Sequence, residues 1–217
     1  MARTNQGILG GYIGKVGTVV GYISRGKSFL RAYQSIVHNP KTLRQQIVRS
    51  RFSKLGEITP GFNAAIAIGL NPLAQQMRCS IPNAFYHVNW DAVTGNAPSA
   101  ITVDYLNIKV AKGSLPGVTF GSADFEESLE VSCPFTSVEG QYGTDSNDEA
   151  FLFVYSTALK SGIISQGNKR SEGNALVQVP SGWAGTTVHV YGFTVGRGAN
   201  NYGKVSNSTY IGSGTIA

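Results

Sequence analysis

Ala150-Phe-Leu-Phe-Val-Tyr155 and Thr186-Thr-Val-His-Val-Tyr-Gly-Phe193 are short runs rich in β-branched and aromatic residues, and they decide how the second half of the chain is read. Runs of this kind between turn-forming residues read as strands. Five more fit the same pattern: Ile101-Thr-Val-Asp-Tyr-Leu-Asn-Ile-Lys-Val110, Val118-Thr-Phe120, Leu129-Glu-Val-Ser-Cys-Pro-Phe135, Ala175-Leu-Val-Gln-Val179 and the segment from Val205 to Ile211. Seven strands over roughly 120 residues predict an antiparallel sandwich of the immunoglobulin or fibronectin kind, with Phe153, Trp183 and Tyr191 in its core. The change of texture at Thr94-Gly-Asn-Ala-Pro98 places its start near residue 98.

Upstream of that point the texture differs. Gly7-Ile-Leu-Gly-Gly-Tyr-Ile-Gly14 is glycine-rich and reads as an extended arm. Lys15-Val-Gly-Thr-Val-Val-Gly-Tyr-Ile23 and Ser28-Phe-Leu-Arg-Ala-Tyr33 flank the polar link Ser24-Arg-Gly-Lys27 and predict a β-hairpin. After Asn39-Pro40, Thr42 is placed to cap a helix running to Leu55, anchored by Leu43, Ile47 and Leu55 and stopped by Gly56. Residues 60–79 predict one or two short helices, and residues 83–91 another short helix or turn. The expectation is an α+β, mainly β protein with two domains. Residues 1–97 form a basic, Gly-rich arm, hairpin and helical region, and residues 98–217 the Ig-like β-sandwich.

The composition narrows the class of function. Of 217 residues, 41% are hydrophobic and only 14% charged, with 27 glycines and 10 tyrosines. That content of apolar and aromatic side chains argues against a disordered chain. No apolar run approaches the roughly 18 residues that span a bilayer, and the first residues lack a compact apolar core, so neither a membrane span nor a secretion signal is expected. Cys79 and Cys133 are too few for a disulfide framework and read as small core hydrophobes.

The net charge of +6 is unevenly placed. Residues 1–56 carry ten basic side chains and no acid, whereas residues 57–217 carry eight basic and twelve acidic ones, giving +10 and −4. Clustered cations gain by releasing counterions from a polyanion. Lys15, Arg25, Lys27, Arg31, Lys41, Arg44, Arg49, Arg51 and Lys54 are therefore candidate contacts to nucleic acid or to an acidic partner. The competing reading is a solvated basic face.

Motifs for catalysis are weak. Gly21-Tyr-Ile-Ser-Arg-Gly-Lys-Ser28 fits the phosphate-binding pattern G-x-x-x-x-G-K-[ST], in which Lys27 would reach phosphates and Ser28 a magnesium ion. The mechanism requires a helix after the loop, and Ser28–Tyr33 leans to strand. His38, His87 and His189 stand in no metal-ligand spacing with the cysteines. Ser80, Ser132 and Ser137 lack a nucleophile-elbow context. Asp145-Ser-Asn-Asp-Glu149 departs from the calcium-loop pattern. No enzyme activity, metal or cofactor is expected.

Several segments taken together resemble an uncharacterised family of similar-length proteins from Bacteroidota and their phages. They are Gly14-Lys-Val-Gly-Thr-Val-Val-Gly21, Asn39-Pro-Lys-Thr42, Gln46 to Phe52, Phe62-Asn-Ala-Ala65, Asp104-Tyr105, Val110-Ala-Lys-Gly-Ser-Leu-Pro-Gly117, Trp183-Ala-Gly-Thr-Thr-Val-His-Val-Tyr191 and Val205-Ser-Asn-Ser-Thr-Tyr210. The resemblance implies a source and a shape, without a catalytic role to transfer. Composition and resemblance together lead to the expectation of a structural, assembling phage virion protein. It would form homo-oligomers through its N-terminal arm and contact other virion proteins; the alternative is a nucleic-acid-binding protein that uses the basic residues 1–56, with DNA contact through this N-terminal region. Its expected location is the virion, assembled in the host cytoplasm, with a cytoplasmic protein as the alternative.

Overall fold

The computed structural model describes residues 3–4, 11–24, 26–125, 129–137 and 143–216, which fall into two units, Met1–Thr42 and Leu43–Ala217. The N-terminal unit is a four-stranded antiparallel sheet in the order β1 (Arg3–Thr4), β2 (Tyr12–Val16), β3 (Val19–Ser24) and β4 (Lys27–Ala32). The segment Lys15–Ile23, expected as one run of a hairpin, is two strands. Gly17 reverses the chain between them at φ +56°, a left-handed conformation that glycine reaches without steric cost. Gly26 does the same between β3 and β4 at φ +74°.

The second unit begins with α1 (Leu43–Gly69), followed by α2 (Asn71–Gln76) and α3 (Ile81–Val88). The expected stop at Gly56 does not occur: α1 runs through both Gly56 and Pro60 for 27 residues. Proline lacks the N–H that would bond to the carbonyl four residues earlier, here that of Gly56. Burial explains why the helix continues. Leu55, Ile58, Phe62, Ala65, Ile66 and Gly69 form one buried stripe that spans the proline, and tertiary packing of such a stripe outweighs local propensity. The Thr59 hydroxyl also donates to the Leu55 carbonyl at 2.6 Å. Leu43, expected as an anchor, is 61% exposed.

The remaining strands are β5 (Val93–Thr94), β6 (Thr102–Val103), β7 (Thr119–Phe120), β8 (Glu130–Thr136), β9 (Glu149–Ser156), β10 (Ser161–Ile164), β11 (Asn168–Lys169), β12 (Asn174–Gln178), β13 (Thr187–Val195) and β14 (Thr209–Thr215). The expected strand over Ile101–Val110 stops after Val103. There the Asp104 carboxylate accepts from the Leu106 N–H at 3.1 Å and opens a 3₁₀ turn, Tyr105–Asn107, a competition short acidic side chains often win against strand pairing.

Two sheets and the helices stack as three layers. The larger sheet runs β10-β9-β13-β14, with β11 also on β9, and the smaller runs β12-β8-β7, all antiparallel. Strand alternation divides β9 between two cores. Ala150, Leu152 and Val154 meet Val131, Cys133, Ala175 and Val177 of the smaller sheet. Phe151, Phe153 and Tyr155 meet Leu55, Phe62 and Ile66 of α1. The protein is thus α+β and mainly β, with two facing antiparallel sheets. The helices, expected in a separate domain ending at residue 97, share a core with the larger sheet, and the chain divides at residues 42/43 instead.

Two features hold the layers in register. Gly61 of α1 lies so close to β10 that a β-carbon there would fall 2.5 Å from the Lys160 carbonyl oxygen, and one on Gly162 2.4 Å from that of Gly61. Elsewhere the buried Asp148 carboxylate joins three loops. It pairs with Arg170 at 3.3 Å and accepts from Asn201 Nδ2 at 2.8 Å and from the Arg197 N–H at 3.0 Å.

Candidate functional site

In the N-terminal sheet, side chains alternate between faces along each strand, and directly paired residues of antiparallel strands share a face. The register pairs Arg3 with Ile13, Lys15 with Val20, Val20 with Arg31, Tyr22 with Phe29, and Ser24 with Lys27. One face therefore gathers Arg3, Lys15, Lys27 and Arg31 with Tyr22 and Phe29. The ring contacts agree with this assignment. Tyr22 and Phe29 stack at 5.5 Å between centroids, and Lys15 Nζ sits 3.4 Å from the Tyr33 ring centre.

The opposite face holds Tyr12, Val16, Val19, Ile23, Leu30 and Ala32 beside Gly14, Gly21 and Ser28, and among the described residues it carries no charged group. Val16, Ile23 and Leu30 are 52%, 45% and 63% exposed. Among the described residues of this unit no hydrophobic side chain is buried. A sheet of this size is ordinarily stabilised by covering one face.

The candidate cations divide between the two units. Lys15, Lys27 and Arg31 share the sheet face just described, and Arg25 lies outside the described residues. Lys41 is exposed, with φ +49°. Arg44, Arg49, Arg51 and Lys54 are on α1, where Arg51 and Lys54 have partners within the chain. Arg51 lies 6.0 Å from the Trp90 ring centre and donates to the Gly95 carbonyl at 3.4 Å. Lys54 pairs with Glu57 at 2.9 Å. Lys160 joins the same carboxylate, and the two cations hold Glu57 down at about 2.

The G-x-x-x-x-G-K-[ST] match forms a turn between antiparallel strands, with Lys27 paired to Ser24 inside the ladder. No helix follows it, so its backbone is not arranged to wrap phosphates. Among the described residues no cluster of three His, Cys, Asp or Glu could hold a metal ion. Cys79 and Cys133 are both free thiols. Burial raises Cys133 to about 11, which leaves it a neutral core side chain.

Two other groupings exist in the second unit. Phe52, Tyr86 and Trp90 pack together, Phe52 edge-on to Tyr86 at 5.2 Å. With Asn83, His87 and Asp91 they line an open cleft of about 520 Å³. On the helix side of the larger sheet, Tyr105 stacks on His189 at 4.6 Å, and the Tyr210 hydroxyl lies 3.0 Å from His189 Nδ1. The Tyr191 hydroxyl donates to the Tyr105 carbonyl at 2.7 Å. A register shift in β14 between the partners of Val190 and Tyr191 makes Ile211 an extra residue and turns Tyr210 into this group. Burial pushes Tyr105, Tyr155 and Tyr191 up and His189 down. All four are neutral near pH 7, and their contacts tie the turn at Tyr105 to the sheet.

Sequence reading named the sheet cations as candidates and passed over the rings that accompany them. The period-two alternation of Val20, Tyr22, Phe29, Arg31 and Tyr33 carried that signal, once the turn at Gly26 fixed the register. No helix among the described residues is long and apolar enough to cross a membrane. A family model described as "Family of unknown function (DUF6266)" matches residues 11–212. No curated protein matches the sequence.

Proposed function

The chain belongs to this family of unknown function, and on that premise we propose that it is a non-enzymatic structural protein that assembles through its N-terminal sheet. The observation that carries the reading is the uncharged face of that sheet, with Val16, Ile23 and Leu30 exposed and no buried core of its own among the described residues. Burying apolar surface contributes about 25 cal/mol per Å², so a face of this kind gains most from a protein partner. The edge of β4, which among the described residues pairs only with β3, offers a further backbone for strand addition.

The reading is most concrete as a phage virion component whose subunits form homo-oligomers and contact other virion proteins, with the facing sheets acting as an Ig-like module. The resemblance to proteins of Bacteroidota and their phages supports it. So does the composition, in which aromatics are plentiful and charged residues scarce, as at protein interfaces.

Sedimentation velocity of the full chain against Val16→Lys and Leu30→Lys variants tests the assembly. A concentration-dependent oligomer that collapses to monomer in both variants is the expected result; a monomeric wild type at all concentrations defeats the reading. Detection of the protein at a fixed copy number in purified phage particles tests the virion assignment.

A further inference from the structure

We infer that the charged face of the N-terminal sheet is a binding platform for single-stranded nucleic acid. The inference goes beyond the assembly reading and does not rest on it, because it concerns the face that reading leaves open. Lys15, Lys27 and Arg31 stand on this face, and residues 1–56 contain no acid to neutralise them. Lys27 and Arg31 are four residues apart on β4, about 13 Å at the usual strand rise. Lys15 reaches the Arg31 level across β3 through the shared partner Val20. The cations therefore frame an area wide enough for several phosphates.

The rings between them distinguish the ligand. Tyr22 and Phe29 are 43% and 42% exposed and lie on the same face as the cations by register, while Tyr33 seats the Lys15 ammonium beside them. Exposed rings interleaved with cations are what unstacked bases and their phosphates require, since each base presents a π-face to a ring and each phosphate an anion to a cation. A duplex keeps its base faces stacked inside, so it would use the cations and leave the rings in water. An acidic peptide would do likewise. The rings thus favour a single strand over either alternative. The shared chemistry of bases and phosphates fits DNA and RNA alike.

The test uses the full-length protein and fluorescein-labelled 12-nucleotide strands of one mixed sequence, as DNA and as RNA, read by fluorescence anisotropy across a salt series. The matching duplex and a poly-glutamate peptide serve as comparisons. Binding of one or both single strands is expected, with log affinity falling against log salt at a slope of about −2 for three neutralised phosphates. Lys27→Ala with Arg31→Ala should reduce that slope by about 1.4. Tyr22→Leu with Phe29→Leu should weaken binding by about five- to a hundredfold at unchanged slope. Because that pair could disturb the sheet, Phe29→Trp gives an independent readout. Its added emission should be quenched by the single strand and not by the duplex. Which strand binds more tightly distinguishes DNA from RNA as the ligand. Absence of strand binding at low salt, duplex binding as tight as single-strand binding, or tighter binding of poly-glutamate would each overturn the proposal.

Discussion

His189 meets aromatic neighbours on both sides, Tyr105 stacked on its ring and Tyr210 with its hydroxyl at Nδ1. Burial lowers its proton affinity relative to the unfolded chain. Below about pH 6.5 the unfolded state therefore binds more protons than the folded one, and stability declines as pH falls. At the alkaline end the sign is reversed in protonation but not in consequence. Tyr105, Tyr155 and Tyr191 keep their protons in the fold after they would lose them unfolded, so stability declines again as pH rises through about 10. Thermal melts from pH 4 to 11 should show a plateau with both shoulders. In His189→Phe the loss between pH 6.5 and 5 should shrink while the alkaline shoulder stays. An acid shoulder of unchanged size in that variant would mean other groups produce it.

At the scale of elements, α1 shows where local signals mislead. Gly56 and Pro60 both read as breaks, yet the buried stripe from Leu55 to Gly69 holds them in one helix. A stripe that packs on a sheet is recognisable only once the sheet's facing residues are known, and these come from positions 151–155 and 191–195, more than 80 residues away. The Pro60 site is exposed, so nothing but the missing N–H and its steric cost distinguishes proline from alanine there. Pro60→Ala should stabilise the protein by about 1–3 kcal/mol, as seen in a higher urea midpoint at unchanged slope. A lower midpoint would mean that proline itself is needed to seat α1 on β10. The strands were easier to foresee. Six of the seven expected runs overlap strands of the sandwich, because Val, Phe and Tyr alternate there under β geometry; the run from Val205 becomes strand only at Thr209, and Ile101–Val110 is cut short by the capping carboxylate of Asp104.

For the whole molecule, the fold class was legible because it depends on strand content and turn residues, which are local. The division of the chain was not. Thr94–Pro98 looks like a linker by composition, while the structure carries a single hydrophobic core across it, from Phe85 and Val93 to Ile108. The candidate site was half legible. Charge asymmetry pointed to the first 56 residues, but only pairing across β2, β3 and β4 separates a cationic, aromatic face from an uncharged one.

That N-terminal sheet has a thermodynamic consequence of its own. No hydrophobic side chain is buried among this unit's described residues, so on the proposed assembly much of its stability should come from the copy that covers it. Mass action then ties its folding to concentration, as it does for any state stabilised by an associating partner. The molecule should melt in two steps. The larger, from residues 43–217, should stay at one temperature over a hundredfold dilution. The smaller should move downward on dilution, and amide protons of Val19–Ser24 should exchange faster in the dilute sample than in the concentrated one. Should both steps hold still on dilution, the sheet must draw its stability from within the chain. If they diverge as expected, the strands from Tyr12 to Ala32 act as a gauge of the protein's own concentration, ordered to the extent that enough copies have gathered to build with.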